Sequence, residues 1–155
     1  MLKARYYKHI LNFKQASGTS RGILKTKETW FLVLYEGQQW GVGECGILRG
    51  LSADDTPEYE EKLAWLCENI HLDKAVLLEE LKAYPSIQMG LETAYLSLRS
   101  KTHPYELWPS DFTQNEQPIN INGLIWMGDE AFMKKQIDEK LKEGFHWIKM
   151  KIGAI

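Results

Sequence analysis

The chain has 155 residues, of which 44% are hydrophobic, enough for a buried core in one domain or slightly more. Nineteen basic and 21 acidic residues give a formal charge of −2 without a concentrated basic stripe, which argues against nucleic acid as the main partner. No apolar run approaches the roughly 20 residues that span a bilayer, and the N-terminus lacks the apolar core of a secretory signal. We therefore expect a cytoplasmic protein with no membrane partner.

The first 45 residues predict a three-stranded antiparallel meander. Residues favouring β-structure indicate a strand over 2–13, and two more over 29–35 and 39–44 form a hairpin whose turn contains Gly37. Between the first two strands, residues 15–22 are small, polar and bounded by glycine, which is typical of a mobile loop.

Apolar residues at helical spacing then predict three helices. Asp54 and Asp55 are candidate N-caps of the first, a short second helix is expected over 74–83, and Ser86 is the candidate cap of the third. The stripes expected to face the core are Tyr59, Leu63, Leu66, Cys67 and Ile70 in the first helix and Ile87, Leu91, Ala94, Tyr95 and Leu98 in the third.

After a polar linker over 103–118, the pattern changes to strand, helix and strand. A strand is expected over 119–126, a helix capped by Asp129 and ended by Gly144 follows, and a second strand covers 145–152. This order within about 35 residues is the repeating unit of a parallel α/β fold. The helix is expected to turn Phe132, Met133, Ile137 and Leu141 inward.

The sequence therefore predicts two domains, residues 1–113 and residues 118–155. One β-α-β unit does not close an eight-stranded barrel, which takes about 250 residues. We expect a fragment whose unfinished sheet edge allows self-association.

Lys149 and Lys151 are the strongest candidates for catalysis. In a strand they share one face, while Ile148, Met150 and Ile152 share the other. Parallel strands are usually covered on both faces, so buried lysines cost free energy unless that face lines a working cavity. A neighbouring cation also lowers the pKa of a lysine toward that of a general base. The alternative is a solvated strand face.

The loop over residues 17–22 carries a second candidate, Arg21. An arginine flanked by small residues can close over a carboxylate with paired hydrogen bonds. The alternative is an ordinary surface loop.

Gly41, Gly43 and Gly46 match the letters of a dinucleotide-binding fingerprint. They end an antiparallel hairpin instead of opening a helix after a parallel strand, so we reject that function and expect close backbone packing. Glu44 is expected to be a structural, hydrogen-bonded carboxylate. The two cysteines fit neither a metal-ligand spacing nor a disulfide framework.

In this order, the motifs resemble those of the enolase superfamily and, within it, the o-succinylbenzoate synthase family. The resemblance covers essentially all of this chain but less than half of a complete family member. The segments that carry it are residues 19–22, 40–45, 50–52, 85–94, 121–128 and 148–154.

The resemblance implies an α+β capping domain, an antiparallel meander followed by helices, joined to the start (β-α-β) of a TIM-type α/β barrel that is incomplete in this chain. Two capping loops would place Ser20, Arg21 and Leu51 against a small-molecule carboxylate substrate. Lys151 would be the catalytic acid and base, and Lys149 would assist by tuning its pKa.

The implied reaction dehydrates 2-succinyl-6-hydroxy-2,4-cyclohexadiene-1-carboxylate to o-succinylbenzoate in menaquinone biosynthesis. A lysine removes the proton α to the carboxylate, and Mg²⁺ stabilises the resulting enediolate. The metal-binding carboxylates of the family lie on later strands, beyond Ile155. We therefore expect no Mg²⁺ site in this chain and no activity of the chain alone.

Two alternatives remain. The first is another enolase-superfamily enzyme, such as a dipeptide epimerase or a cycloisomerase, which shares the capping domain and the lysine strand. The second is a non-catalytic α+β module whose β-α-β segment docks on a partner or on a second copy.

Overall fold

The computed structural model describes residues 1–19 and 22–150. Within this part of the chain, no helix is long and apolar enough to cross a bilayer. The strands are β1 (Lys3–Thr19), β2 (Gly22–Glu36), β3 (Gln39–Gly46), β4 (Gly123–Ile125) and β5 (Ile148–Met150), and the helices are α1 (Tyr59–Glu68), α2 (Lys74–Glu80), α3 (Pro85–Leu98) and α4 (Glu130–Lys142).

The described residues form two compact units. The first consists of Met1–Asn12 and Thr26–Pro109, and the second takes the described residues of Phe13–Lys25 and Ser110–Ile155. Strands β1 and β2 each begin in one unit and end in the other.

A three-stranded sheet in the order β1-β2-β3 confirms the predicted meander. Strands β2 and β3 pair antiparallel from Thr29 opposite Gly46 to Glu36 opposite Gln39. Gly37 closes the turn with a φ of 62°, a left-handed conformation that favours glycine.

One face of this sheet packs on the three helices of the first unit. Backbone of β3 and α3 approaches so closely that a Cβ on Gly43 would lie 2.7 Å from the carbonyl carbon of Gly90 and overlap its oxygen. The predicted close packing at the strand glycines is therefore confirmed. The buried cluster comprises Trp30, Leu32, Leu34, Cys45, Ile47, Tyr59, Leu63, Leu66, Ile70, Leu77, Leu81, Ile87, Leu91, Ala94 and Leu98.

The mobile loop predicted over residues 15–22 is wrong at residues 15–19 and at Gly22. Strand β1 continues to Thr19 and β2 begins at Gly22, while Ser20 and Arg21 lie outside the described residues. A ladder between neighbouring strands uses backbone N–H and C=O groups, so small and polar residues can extend it. Composition alone therefore underestimated the length of this hairpin.

Two predicted helix caps are also wrong. Helix α1 begins only at Tyr59, and neither Asp54 nor Asp55 caps it. The buried Asp54 carboxylate instead accepts bonds from the backbone N–H of Ser86 at 2.8 Å and from its hydroxyl at 2.5 Å. Because α3 begins at Pro85, Ser86 lies inside the helix, and Asp54 stabilises that helix from 32 residues away in sequence.

The second unit contains the predicted β-α-β segment. Strands β4 and β5 are parallel, with Gly123 opposite Ile148. Strand β4 is shorter than predicted and β5 begins three residues later than predicted, while residues 151 and 152 of the predicted strand lie outside the described residues. Asp129 caps α4 by accepting the Phe132 N–H at 2.8 Å, and Gly144 follows the helix with a φ of 88°. Both end signals read from the sequence are confirmed.

Few side chains in the second unit are buried. Ile125 is fully buried, whereas α4 has no buried residue, and Leu141, predicted to face inward, is 57% exposed. The prediction for Leu141 is therefore wrong, since more than half of its side chain is accessible to solvent. Other exposed large apolar side chains of this unit are Ile23, Phe112, Ile119, Ile121, Leu124, Trp126, Trp147 and Met150.

Candidate functional site

Lys149 lies at the centre of β5, opposite Leu124 of β4 in the parallel ladder. Its side chain is exposed, and the Gly123 N–H donates to the carbonyl oxygen of Trp147 at 2.8 Å where the two strands begin to pair. The predicted partner, Lys151, lies outside the described residues. Of the two lysines, the structure thus describes Lys149, on a parallel strand that follows helix α4.

The two loop candidates, Ser20 and Arg21, lie outside the described residues. The described residues on either side of them, within Phe13–Lys25, belong to the second unit. That unit also contains β5. The end of the long hairpin and the lysine strand are therefore parts of one compact body.

Leu51 belongs to the first unit, in the loop that joins β3 to α1. Its side chain is 49% exposed although it is apolar, and its N–H donates to the carbonyl oxygen of Leu48 at 3.0 Å. The following residue, Ser52, donates its own N–H to that same oxygen at 2.9 Å. The loop is therefore a tight turn that presents an apolar side chain.

Arg49 fixes this loop to the sheet through charged groups that sequence reasoning missed. Its Nε and Nη2 lie 2.6 and 2.5 Å from Oε2 of Glu28 on β2, and its Nη1 donates to Asp55 at 2.6 Å. Glu28 also pairs with Lys8 of β1 at 2.9 Å. Asp55 and Glu28 lie 6 and 21 positions from Arg49 in the sequence, and Lys8 lies farther still, so no short sequence motif predicts this group.

The electrostatics of this group favour its charged form. The hydrogen bond from Lys8, followed by that from Arg49, holds the pKa of the Glu28 carboxyl below its ordinary value. The pKa of the Asp55 carboxyl is lowered first by the Gly50 N–H, which donates to it at 2.6 Å, and then by Arg49. Two cations therefore compensate two carboxylates around one loop.

Glu44 has the structural role expected for it. Thr29 donates its hydroxyl to Oε1 of Glu44 at 2.7 Å, and Lys27 lies 3.1 Å from the same oxygen. These bonds, that from Thr29 first, lower the pKa of the Glu44 carboxyl despite its partial burial. The expectation of a hydrogen-bonded carboxylate at the end of β3 is confirmed.

The face of the first unit's sheet that carries Glu44 borders an open groove of about 940 Å³. Trp40 and Tyr105 meet edge to face beside it, with ring centroids 5.6 Å apart. Its walls come from β1, β2, β3, α3 and the segment after α3, so no single stretch of sequence marks it. The remaining lining includes Tyr7, Phe31, Val33, Val42, Met89 and Leu107.

The described residues do not fit a metal site or a thiol nucleophile. Among them, no group of three or more His, Cys, Asp or Glu side chains could hold a metal ion. Burial raises the pKa of the Cys45 thiol to about 12 and that of Cys67 to about 11, so both stay protonated near neutral pH. The Mg²⁺ implied by the family resemblance therefore has no ligand set in this part of the chain.

Comparison with known proteins gives one relative that spans the whole chain. No family model matches the sequence. The o-succinylbenzoate synthase of Desulfotalea psychrophila is 34% identical over 185 aligned positions, which cover 99% of this chain and 50% of that protein. The chain thus spans about half the length of the curated relative that it matches.

Solved structures agree with this match. MenC from Desulfotalea psychrophila has a TM-score of 0.76 and 29% identity, covering 97% of this chain and 49% of its own. The o-succinylbenzoate synthase of Thermosynechococcus elongatus, complexed with Mg in the active site, has a TM-score of 0.69 and 20% identity over 99% of this chain and 43% of its own. A dipeptide epimerase from Cytophaga hutchinsonii, complexed with Mg and D-Ala-L-Val, has a TM-score of 0.67 and 19% identity, covering 98% of this chain and 44% of its own.

The last two structures share the fold alone, because their identities are low. Together with the sequence match, they bear out the antiparallel sheet with helices as a capping domain followed by a β-α-β segment. The resemblance predicted from the motifs is confirmed: in sequence and in fold, this chain is similar to about half of the o-succinylbenzoate synthase of Desulfotalea psychrophila.

Proposed function

We propose that this chain is part of an o-succinylbenzoate synthase that acts in the cytoplasm, in menaquinone biosynthesis. The protein would dehydrate 2-succinyl-6-hydroxy-2,4-cyclohexadiene-1-carboxylate to o-succinylbenzoate as a carbon–oxygen lyase. The observation that carries the proposal is 34% identity to a synthase over 99% of the chain, with Lys149 on a strand that follows a β-α unit.

Lys151 would take the proton α to the substrate carboxylate and return a proton to the departing hydroxide, so that one water is lost overall. Lys149 would assist beside it, because a neighbouring cation favours the neutral, basic form of Lys151. Ser20, Arg21 and Leu51 would contact the substrate from the capping side. The described residues on either side of Ser20 and Arg21 belong to the same compact unit as β5, which supports the part of this arrangement that concerns these two loop residues.

The reaction also needs Mg²⁺ if the protein works as its relatives do. Since the described residues form no cluster that could hold a metal, we assign no metal ligand among them. We propose accordingly that the 155-residue chain alone does not turn over the substrate. Turnover by the pure chain with added Mg²⁺ would contradict this.

The test uses the protein encoded by the complete reading frame that contains this chain. We expect loss of the substrate's diene absorbance in the presence of Mg²⁺, and a fall in kcat/KM of about 100-fold to 10,000-fold in Lys151→Ala. Lys149→Ala should lose less, because it acts through Lys151. Lys142→Ala, at the exposed end of α4, is the control and should retain wild-type kinetics.

The same protein should be offered dipeptides, because a dipeptide epimerase shares its fold. Epimerisation of an L-Ala-containing dipeptide without any dehydration would overturn the synthase proposal in favour of the epimerase. Dehydration at the wild-type rate by Lys151→Ala would contradict the proposed role of Lys151 as acid and base.

We propose further that the isolated 155-residue chain self-associates. The support is the exposure of apolar side chains on the second unit, among them Leu124, Trp147 and Met150. Light scattering of the isolated chain should show a mass above 18.0 kDa that depends on concentration. A monomer at every concentration would contradict this.

A further inference from the structure

The loop between β3 and α1 is held in one conformation by more bonds than a surface turn needs. Besides the two N–H bonds to Leu48, the hydroxyl of Ser52 accepts the Leu48 N–H at 2.9 Å, which closes the turn from both sides. Gly50 has a φ of 71°, and its N–H donates to Asp55. Leu51, at the tip, is half exposed and contributes only backbone to these bonds.

The hydrogen bonds described so far join residues within the loop. Arg49, in contrast, connects the loop to the rest of the first unit. Its planar guanidinium reaches Glu28 through two nitrogens and Asp55 through the third, so one side chain links β2 to both ends of the turn. A lysine has one nitrogen and cannot reproduce this fork. Glu28 is anchored in turn by Lys8, which also lies 3.6 Å from Glu60 of α1.

The guanidinium also packs against an aromatic side chain of the core. Its Cζ lies 5.7 Å from the ring centroid of Trp30, which is fully buried and lies 4.8 Å from the ring of Tyr59. Stacking of this kind adds to the attraction of the carboxylates and orients the guanidinium plane. Arg49 is thus fixed by Glu28, Asp55 and Trp30 together.

An arginine next to a substrate-facing loop would ordinarily be taken as a ligand of the substrate carboxylate. Here Nε, Nη1 and Nη2 already donate to protein carboxylates, and those carboxylates stay ionised because the pKa values of Glu28 and Asp55 are lowered. If Arg49 turned toward a substrate instead, the negative charges of Glu28 and Asp55 would lose the cation that pairs with both of them. The arrangement therefore favours a role within the protein.

We propose that Arg49 is a positioning residue that holds the loop of residues 48–55 so that Leu51 is presented to the substrate in one place. Arg49 would then set substrate affinity and leave the proton transfer unchanged. The inference rests on the proposed function for its substrate part. The positioning of the loop itself is independent of any activity.

The first experiment measures amide hydrogen exchange in the 155-residue chain. Arg49→Ala should lower the protection of the Gly50 amide by about tenfold, since the acceptor Asp55 loses its anchor, and Arg49→Lys should give a smaller loss. Amides of α3 should keep wild-type protection, which shows that the chain is folded. The control is Lys82→Ala, which breaks an exposed pair with Glu79 and should leave Gly50 unchanged.

The second experiment measures kinetics of the protein from the complete reading frame. Arg49→Ala should raise KM for the cyclohexadiene carboxylate by about fivefold to twentyfold with kcat within twofold, and Leu51→Ala should do the same. Arg49→Lys should fall between Arg49→Ala and the wild type. A large fall in kcat at unchanged KM would overturn the positioning role, because it would place Arg49 in the chemistry.

The two experiments separate the possible failures. Unchanged Gly50 protection in Arg49→Ala overturns the inference whatever the kinetics show. A wild-type protein that does not dehydrate the substrate overturns the proposed function and the substrate part of the inference, whereas lost Gly50 protection still establishes Arg49 as the anchor of the loop.

Discussion

The two units of this protein differ in burial: the first closes a core, whereas the described residues of the second bury few side chains. In the first unit, fifteen apolar side chains form a buried cluster between a sheet and three helices. In the second, α4 begins and ends at its sequence signals but has no buried residue. The comparison teaches that capping residues and apolar periodicity are enough to define where a helix begins and ends. Burial of its apolar side chains requires, in addition, that other elements pack against them.

The largest expected effect concerns the glycines of the first unit. Gly43→Ala should destabilise the chain by about 3 kcal/mol or more, because the new Cβ would overlap the backbone of Gly90, which has no room to move. Urea unfolding followed by circular dichroism measures this.

The matched control in the second unit is Gly123→Ala. The three atoms nearest to its Cβ would be the Cβ of Lys140, the Cγ of Phe145 and the Cδ1 of Ile148, at 3.1–3.2 Å. These contacts are tight but do not overlap, as those of Gly43 would, so we expect a cost of about 1 kcal/mol or less. Equal costs for Gly43→Ala and Gly123→Ala would break the contrast between the units.

Buried apolar side chains give the next largest effect and separate global from local unfolding. Leu91→Ala, in the core of the first unit, should cost about 2–5 kcal/mol and lower the protection of amides throughout that unit. Ile125→Ala removes the fully buried side chain of β4 and should expose amides of β4, α4 and β5 alone. Amide exchange detected by mass spectrometry distinguishes the two patterns.

A global loss of protection in Ile125→Ala would contradict the division into two units. The exposed Leu141 provides the control, since Leu141→Gln replaces an apolar side chain that is mostly accessible to solvent. It should change stability by less than about 0.5 kcal/mol.

Two aspartates that bind helix N-termini extend the comparison at a smaller scale. Asp54→Ala should cost about 1–3 kcal/mol, because it leaves the half-buried N–H of Ser86 without its acceptor, while the Ser86 hydroxyl keeps the Tyr59 hydroxyl as a partner. Asp129→Ala removes an exposed cap of α4 and should cost about 1 kcal/mol, read as local exchange in that helix. A larger cost at Asp129 would show that the second unit depends on its caps more than its burial indicates.

Features of the fold that depend on residues close together in the sequence were predicted correctly, whereas those that depend on distant residues were not. Local signals placed Asp129, Gly144 and the hairpin turn at Gly37, because each acts on residues within a few positions. Asp54 was assigned to the wrong helix because its partner, Ser86, is distant in the chain and close only after folding.

The candidate site shows the same limit. A strand with two lysines is predicted from the sequence, and the structure describes a parallel strand around the first of them, Lys149. Arg49, Glu28 and Asp55 were missed, since their connection depends on the approach of β2 to the loop after β3. Ion pairs of this kind have no sequence period and become apparent only in the fold.

The smallest expected effect is a pH dependence that belongs to the first unit. The pKa values of Glu28 and Asp55 are lowered in the folded chain, so their contribution to stability is fully present above their unfolded pKa values of about 4. It is lost as pH falls from there through the folded values, because the unfolded chain then binds more protons. Urea midpoints measured from pH 3 to pH 7 should therefore decrease on acidification.

Glu28→Gln tests whether this group causes the decrease. At pH 7 the variant should be less stable by about 0.2–1 kcal/mol, as expected for a partly exposed ion pair. The difference from the wild type should shrink as pH falls toward 3, because Glu28 of the wild-type chain then takes up a proton. Glu130→Gln is the counterpart in the second unit, where Glu130 and Lys134 form an exposed pair along α4. Parallel wild-type and Glu28→Gln curves would show that the network around Arg49 contributes nothing to the pH dependence, and the difference between the units would then be one of packing alone.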